Sequence, residues 1–277
     1  MKTQLAYLGA SLLLAASVQA ADVTEQNSWQ RAYPVTTGSP KLFVRNVFGN
    51  VTVRTGNIRE IVVAVNERRS APTRAELDES KKRLQLHTEA TSEGASFVVE
   101  DPDRDSTRIE LCRQCRVEYE FDITVPADAQ VDVGTITDGR VEVTGVRGAV
   151  SARNVNGPVA VAGVAQCSQI ESVNGALDVS FVRAPGNDCA LKTINGDITV
   201  GLPANAGLDA MLSVTHGKLE SDFDIEPLTS APKVEREERD AGFLYRIDHK
   251  AGVRLGAGGP TFTFASLNGD VRFIKNK

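Results

Sequence analysis

A six-residue segment recurs through the middle of this chain, and it restricts the fold more than any other feature. Asp138-Gly139-Arg140-Val141-Glu142-Val143, Asn156-Gly157-Pro158-Val159-Ala160-Val161, Asn174-Gly175-Ala176-Leu177-Asp178-Val179 and Asn195-Gly196-Asp197-Ile198-Thr199-Val200 share a turn pair followed by apolar residues two apart. Fainter copies stand at His216-Gly217-Lys218-Leu219, Asn268-Gly269-Asp270-Val271-Arg272-Phe273 and Phe48-Gly49-Asn50-Val51-Thr52-Val53. From Gly139 through Gly157, Gly175 and Gly196 to Gly217 the spacings are 18, 18, 21 and 21. Self-similarity at such a period marks stacked supersecondary units that cannot bury their apolar faces alone.

Asn or Asp before Gly favours a tight turn, and the alternation after it places apolar side chains on one face of a strand. A second strand precedes each turn. Five places before the glycines stand Gly134, Ala152, Ile170, Leu191 and Leu212, a column suited to an interior. Four places before them stand Arg153, Glu171 and Lys192, which alternate in sign. Units stacked in register would set each of these charges about 4.8 Å from its opposite on the outer surface. An antiparallel meander with a hairpin at every Asn-Gly is the rival fold. Matching residue classes between whole repeats favour stacking, so the expectation is an all-β, mostly parallel β-solenoid, or β-helix, with 18–21-residue coils, most regular over 131–221.

Cysteine usage fits that expectation. Cys112, Cys115, Cys167 and Cys189 make an even set. Residues 1–20 read as a secretory signal peptide, with Lys2 ahead of an apolar run and Val18-Gln19-Ala20 as the cleavage site. In an exported chain such cysteines form disulfides. Cys167 and Cys189 fall on adjacent units, so stacking brings them within bridging reach. Cys112-Arg113-Gln114-Cys115 reads as a loop disulfide; the redox alternative lacks a strand-to-helix setting, since a strand pattern follows. Zinc would need a second ligand pair, which no Cys or His supplies.

The flanks differ from the repeats. Residues 21–40 read as an N-terminal extension and 41–277 as a single domain. Within it, 72–84 has the composition of one short helix with Thr73 as N-cap, followed by strands to Val125 and a turn at Pro126-Ala127-Asp128. Beyond Phe223 the pattern loosens, and Phe243 to Asp248 and Thr261 to Ile274 read as closing strands.

Evidence for catalysis is sparse. The three histidines, His87, His216 and His249, fall in strand or turn segments, and no nucleophile elbow or zinc-protease motif occurs. Asp101-Pro102-Asp103-Arg104-Asp105 begins like a calcium loop, but Ser106 and Cys112 occupy the positions where an EF-hand needs Gly and Glu. No cofactor or metal set is expected. With 31 Lys+Arg against 36 Asp+Glu, a net charge of -5 argues against nucleic acid. No segment after residue 20 is long and apolar enough to enter a membrane.

The [VIL]-N-G-x-[VIL]-x-V units, the lead-in Ile123-Thr124-Val125-Pro126-Ala127-Asp128 and the final Leu267-Asn268-Gly269-Asp270-Val271 resemble the bacterial putative-adhesin family, over roughly Leu42 to Ile274. The resemblance implies a right-handed, mostly parallel β-solenoid and a place in the cell envelope, with no functional residues to carry over. His216 departs from the pattern where Asn is usual. The functional expectation is a periplasmic or secreted binding or structural module, not an enzyme, whose partner is a protein or glycan of the envelope. Two alternatives stand beside it. One is a polysaccharide-active β-helix enzyme, with Asp178, Asp197, Arg153, Glu171 and Lys192 as outward groups. The other is a self-assembling envelope scaffold.

Overall fold

The computed structural model describes residues 22–102, 111–228, 234–239, 242–247 and 250–276. The signal-peptide assignment, Asp103 to Asp105 and His249 lie outside the described residues. What is described is all-β apart from one α-helix, with two large sheets of twelve and eleven strands that are mostly parallel.

Each repeat contributes one strand to each sheet, with its Asn-Gly corner between them. The Gly157 unit is the strand pair Val150–Asn156 and Val159–Val164, and the Gly175 unit is Gln169–Asn174 and Leu177–Phe181. Their strands pair parallel in both sheets, with Arg153 opposite Glu171 and Val159 opposite Leu177. The Gly139 unit (Gln130–Thr135, Val141–Thr144) lies on one side of them and the Gly196 unit (Cys189–Asn195, Ile198–Leu202) on the other, again parallel. Alternate residues turn inward. Val133, Ala152, Ile170 and Leu191 from one sheet and Val143, Val161, Val179 and Val200 from the other join one buried apolar core. Burying such a side chain is worth about 1.5–3 kcal/mol, so the period-2 pattern itself fixes the register.

Two details depart from the sequence expectation. Gly134 belongs to the outward column, opposite Arg153, and Val133 is the inward residue. The first corner holds one residue more than the others, Asp138, whose left-handed φ of 52° absorbs it. More consequentially, the strands Thr261–Asn268 and Val271–Lys275 do not close the end of the stack. This Gly269 unit lies between the Gly196 unit and the Gly217 unit (Leu208–His216, Leu219–Ser221), parallel to both. Charge and volume account for the placement. Arg272 sits between Asp197 at 2.9 Å and Glu220 at 3.0 Å, two carboxylates that would otherwise be neighbours. Phe262, Phe264 and Phe273 fill the interior at that level, with Phe264 and Phe273 packed edge to face at 5.2 Å.

A similar detour occurs at the other end. The Gly49 unit (Lys41–Arg45, Val51–Gly56) packs on the Gly139 unit, and outside it lies a unit made later in the chain, Gly94–Glu100 with Arg116–Pro126. Antiparallel strands then cover both ends. Val23–Pro34, from the segment read as an extension, pairs along its length with Glu60–Ala71, which pairs with Arg116–Pro126. At the far end Lys250–Leu255 and Gly242–Ile247 run antiparallel to the two strands of the Gly217 unit. The parallel stack therefore does not end on a repeat: the outermost strand at each end of both sheets runs antiparallel to its neighbour.

The helix, Arg74–Arg83, begins at its N-cap Thr73, whose hydroxyl accepts the Glu76 N–H at 3.2 Å and donates to the Glu76 carboxylate at 2.7 Å. Its other end is held by Arg69, buried to 4% exposure, whose guanidinium donates to the carbonyls of Ser80 at 2.7 Å and Leu84 at 2.6 Å and to the Tyr119 hydroxyl at 2.6 Å. Arg69 also pairs with Glu67, to which the Tyr119 hydroxyl donates at 3.2 Å. Burial, aided by the Glu67 carboxylate and opposed by Arg69, pushes the Tyr119 phenol up to about 12. The unfolded phenol titrates near 10, so between those values the folded chain holds the extra proton. This contribution is complete below about pH 10 and is lost as pH rises through the folded value. A urea-midpoint series is expected to fall across that window by an amount on the order of 2 kcal/mol, and to fall less in Tyr119→Phe.

Candidate interaction face

The corners carry three stacked columns. Outermost is an amide ladder: the side-chain NH2 of Asn174 donates to Asn156 at 2.8 Å, Asn195 to Asn174 at 2.7 Å, and Asn268 to Asn195 at 2.7 Å. The His216 ring continues it, with Nδ1 3.1 Å from the Asn268 oxygen. His216 therefore serves where Asn is usual. In the Gly139 unit, read from the sequence as part of the same turn ladder, Thr137 stands in register with Phe48 and Asp138 is the added residue. Beneath the amides stack Gly49, Gly139, Gly157, Gly175, Gly196, Gly269 and Gly217, each corner passing so close to the last that a Cβ would enter the preceding glycine's carbonyl.

The third column was not anticipated from the sequence. Thr135, Asn154, Ser172, Thr193 and Ser266 are buried polar residues facing inward at the corner. Each donates to the glycine carbonyl of the adjoining unit: Thr135 to Gly49 at 2.9 Å, Asn154 to Gly139 at 2.8 Å, Ser172 to Gly157 at 3.0 Å, Thr193 to Gly175 at 3.0 Å and Ser266 to Gly196 at 3.4 Å. A buried carbonyl without a partner costs about 1–3 kcal/mol, so the column satisfies what the tight corner would leave stranded. Its signal is legible in retrospect as a hydroxyl or amide residue two places before each Asn-Gly pair.

On the outer surface of the eleven-stranded sheet, Arg45, Gly134, Arg153, Glu171, Lys192 and Ala265 lie side by side in register. Glu171 is 3.7 Å from Arg153 on one side and 3.7 Å from Lys192 on the other, while Arg153 reaches Asp132 at 3.5 Å. These groups are well hydrated, so each pair contributes a few tenths of a kcal/mol at most. Two residues further along each strand is a column the sequence reading did not single out: Ile136, Val155, Val173, Ile194 and Leu267. Ile136, Ile194 and Leu267 are each 44% exposed, and Val155 is 37% exposed. Between charged and aliphatic columns runs a shallow groove of about 600 Å³. Single exposed aliphatics are ordinary, but a continuous row bounded by charges and amides marks an interaction surface.

The remaining candidates lie elsewhere. Cys167 and Cys189 are bridged, buried between the Gly175 and Gly196 units with Cα atoms 5.5 Å apart. Cys112 and Cys115 form a second bridge, 5.0 Å between Cα atoms, across a turn leading into Arg116–Pro126. Both suit an oxidising compartment outside the cytosol. Asp178 is on the twelve-stranded sheet and Asp197 lies in the corner just before Ile198–Leu202, both past the turn glycines from Arg153, Glu171 and Lys192, so the five outward groups do not converge. His87 lies in the edge strand Gln85–Thr91. Glu118 and Glu120 share the outer face of Arg116–Pro126; burial, then the neighbouring Glu120, raises the Glu118 carboxyl above its ordinary value. Among the described residues no cluster of three His, Cys, Asp or Glu side chains has the form of a metal site, and no helix is long and apolar enough to cross a membrane.

No family model matches the chain, and no curated protein matches it. Among solved structures, it is similar to a putative cell adhesion protein from Clostridium sporogenes ATCC 15579, at 9% identity and a TM-score of 0.43, covering 91% of this chain and 100% of that one. It is also similar to a putative adhesin from Bacteroides fragilis NCTC 9343, at 9% identity and a TM-score of 0.37, covering 90% and 97% of the two chains. Likenesses this distant assign no function, and nothing below rests on them.

Proposed function

We propose that this chain is an exported, adhesin-like binding or structural module of the bacterial cell envelope, periplasmic or secreted, and built as a right-handed β-solenoid. It uses the outer face of its eleven-stranded sheet to hold a protein or glycan of the envelope and works without a cofactor. The observation that carries this reading is the unbroken aliphatic column from Ile136 to Leu267, set between a charge column and an amide ladder. Extended faces of this kind bind through area, as repeat proteins do. The right-handed course is supported by parallel strands that alternate between sheets, since parallel crossovers are overwhelmingly right-handed.

The polysaccharide-cleaving alternative needs two carboxyls flanking a bond from opposite sides. Glu118 and Glu120 are two residues apart on one strand and project from the same face, side by side. That arrangement favours binding over catalysis. The self-assembling alternative needs an end on which a further coil continues the parallel stack, whereas antiparallel strands stand at both ends.

The test is capture of envelope proteins and glycans by the immobilised chain, compared with Val155→Glu/Ile194→Glu. Both positions are exposed, so the variant keeps its circular dichroism and unfolding midpoint. Losing two apolar contacts of about 1 kcal/mol or more each is expected to reduce retained ligand at least tenfold. Equal retention by the two proteins sinks the proposal.

A further inference from the structure

We propose that a second copy of this chain covers the aliphatic column, the two molecules packed face to face with their stacks running in opposite directions. This deepens the reading above and rests on it, since it takes the same face to be an interaction surface. The charge column decides the partner. Arg153, Glu171 and Lys192 alternate plus, minus, plus at one-strand intervals. A membrane surface or a polyanion presents one sign and would meet repulsion at Glu171, in the middle of that run. A reversed copy whose axis lies between Arg153 and Glu171 meets that pair with opposite charges and meets Lys192 with the uncharged Gly134.

A two-fold axis parallel to the strands, lying between the two faces and midway between the Gly157 and Gly175 units, sets Arg153 against the partner's Glu171 and Glu171 against the partner's Arg153. The same operation lays Val155 on the partner's Val173 and Ile136 on the partner's Ile194, so the aliphatic rows meet each other. The contact is isologous and closes at two molecules. The intramolecular distances leave room for it: Arg153 and Glu171 are 3.7 Å apart, looser than the 2.9 Å of Arg45 and Asp132 beside them. Seven stacked units spaced about 4.8 Å apart, with a strip five residues wide, give a total contact of roughly 1,000 Å². That is the lower bound for a specific interface, so the dimer is weak and exchanges rapidly.

Sedimentation velocity of the full chain from about 5 μM to 1 mM is expected to show the weight-average mass rising toward two copies, with a dissociation constant on the order of 10–100 μM. Arg153→Glu and Glu171→Arg alone each place like charges across the axis twice, and each is expected to weaken dimerisation at least tenfold. Mixed in equal amounts, the two variants are expected to associate, because the substituted position 153 of one chain then meets the substituted position 171 of the other with opposite charge, and the unsubstituted Glu171 and Arg153 meet in the second contact. A folding defect in either variant cannot produce that rescue. A wild-type chain that stays monomeric at 1 mM overturns the proposal, as does a mixture no more associated than its separate components. Neither result depends on the envelope capture above, which is performed at concentrations where the chain is monomeric, so the two readings fail separately.

Discussion

Gly175→Ala is expected to lower the unfolding free energy by about 3–5 kcal/mol, enough to unfold much of the population at 37 °C. A methyl group there would enter the carbonyl of Gly157, a backbone atom in the adjoining unit. Flexible side chains can move aside, but this carbonyl is held by the Ser172 hydroxyl at 3.0 Å, and the Gly157 N–H donates to Asn174 at 3.0 Å. Relief would therefore require two units to separate and break the ladders on both sides. Urea denaturation followed by circular dichroism measures the loss. Gly186→Ala is the control: nothing lies within 4 Å of its added methyl, and its midpoint is expected to stay within about 0.5 kcal/mol of wild type. Equal stabilities for the two variants would mean that the corners do not stack as closely as described.

Phe264→Ala is expected to cost about 3–5 kcal/mol, with the cost concentrated at one end of the stack. Phe264 is fully buried, packs against Phe262 at 6.2 Å and Phe273 at 5.2 Å, and lies in register with Leu191 on one side and Leu212 on the other. Its removal hollows the unit that joins the Gly196 and Gly217 units. Hydrogen exchange of Leu208–His216 should accelerate more than that of Val150–Asn156. Uniform acceleration of both strands would indicate a stack that opens only as a whole, contrary to the local opening expected when neighbouring units are weakly coupled.

The repeats show why parts of this fold can be read from a sequence and parts cannot. Arg153, Glu171 and Lys192 share a column because each lies a fixed distance before its Asn-Gly corner, and a constant period is visible in one dimension. Gly134 escapes the rule because one added residue, Asp138, shifts its count by one. Order in space is a different matter. Nothing local in Thr261–Asn268 states that its neighbours will be Cys189–Asn195 and Leu208–His216; that follows from Arg272 matching Asp197 and Glu220, a relation among three distant segments. The candidate face was half legible for a related reason. Its charges alternate conspicuously, whereas Val155, Val173, Ile194 and Leu267 occupy the apolar position just before each Asn-Gly pair, with Ile136 at the matching place, where an apolar residue does not by itself reveal that it points outward.

The two detours also govern how such a molecule can grow and how it is made. Gly94–Glu100 and Arg116–Pro126 are synthesised after the Gly49 unit yet lie outside it, and Thr261–Asn268 and Val271–Lys275 are synthesised after the Gly217 unit yet lie inside it. Appending repeats to either terminus therefore cannot lengthen the rod; a gene duplication has to enter between Gly139 and Gly196, where successive units are also spatial neighbours. During synthesis, the Gly217 strands have no partner on their inner side until the Gly269 strands emerge, so that end of the stack must wait for Thr261–Asn268 and Val271–Lys275 before it can join the rest.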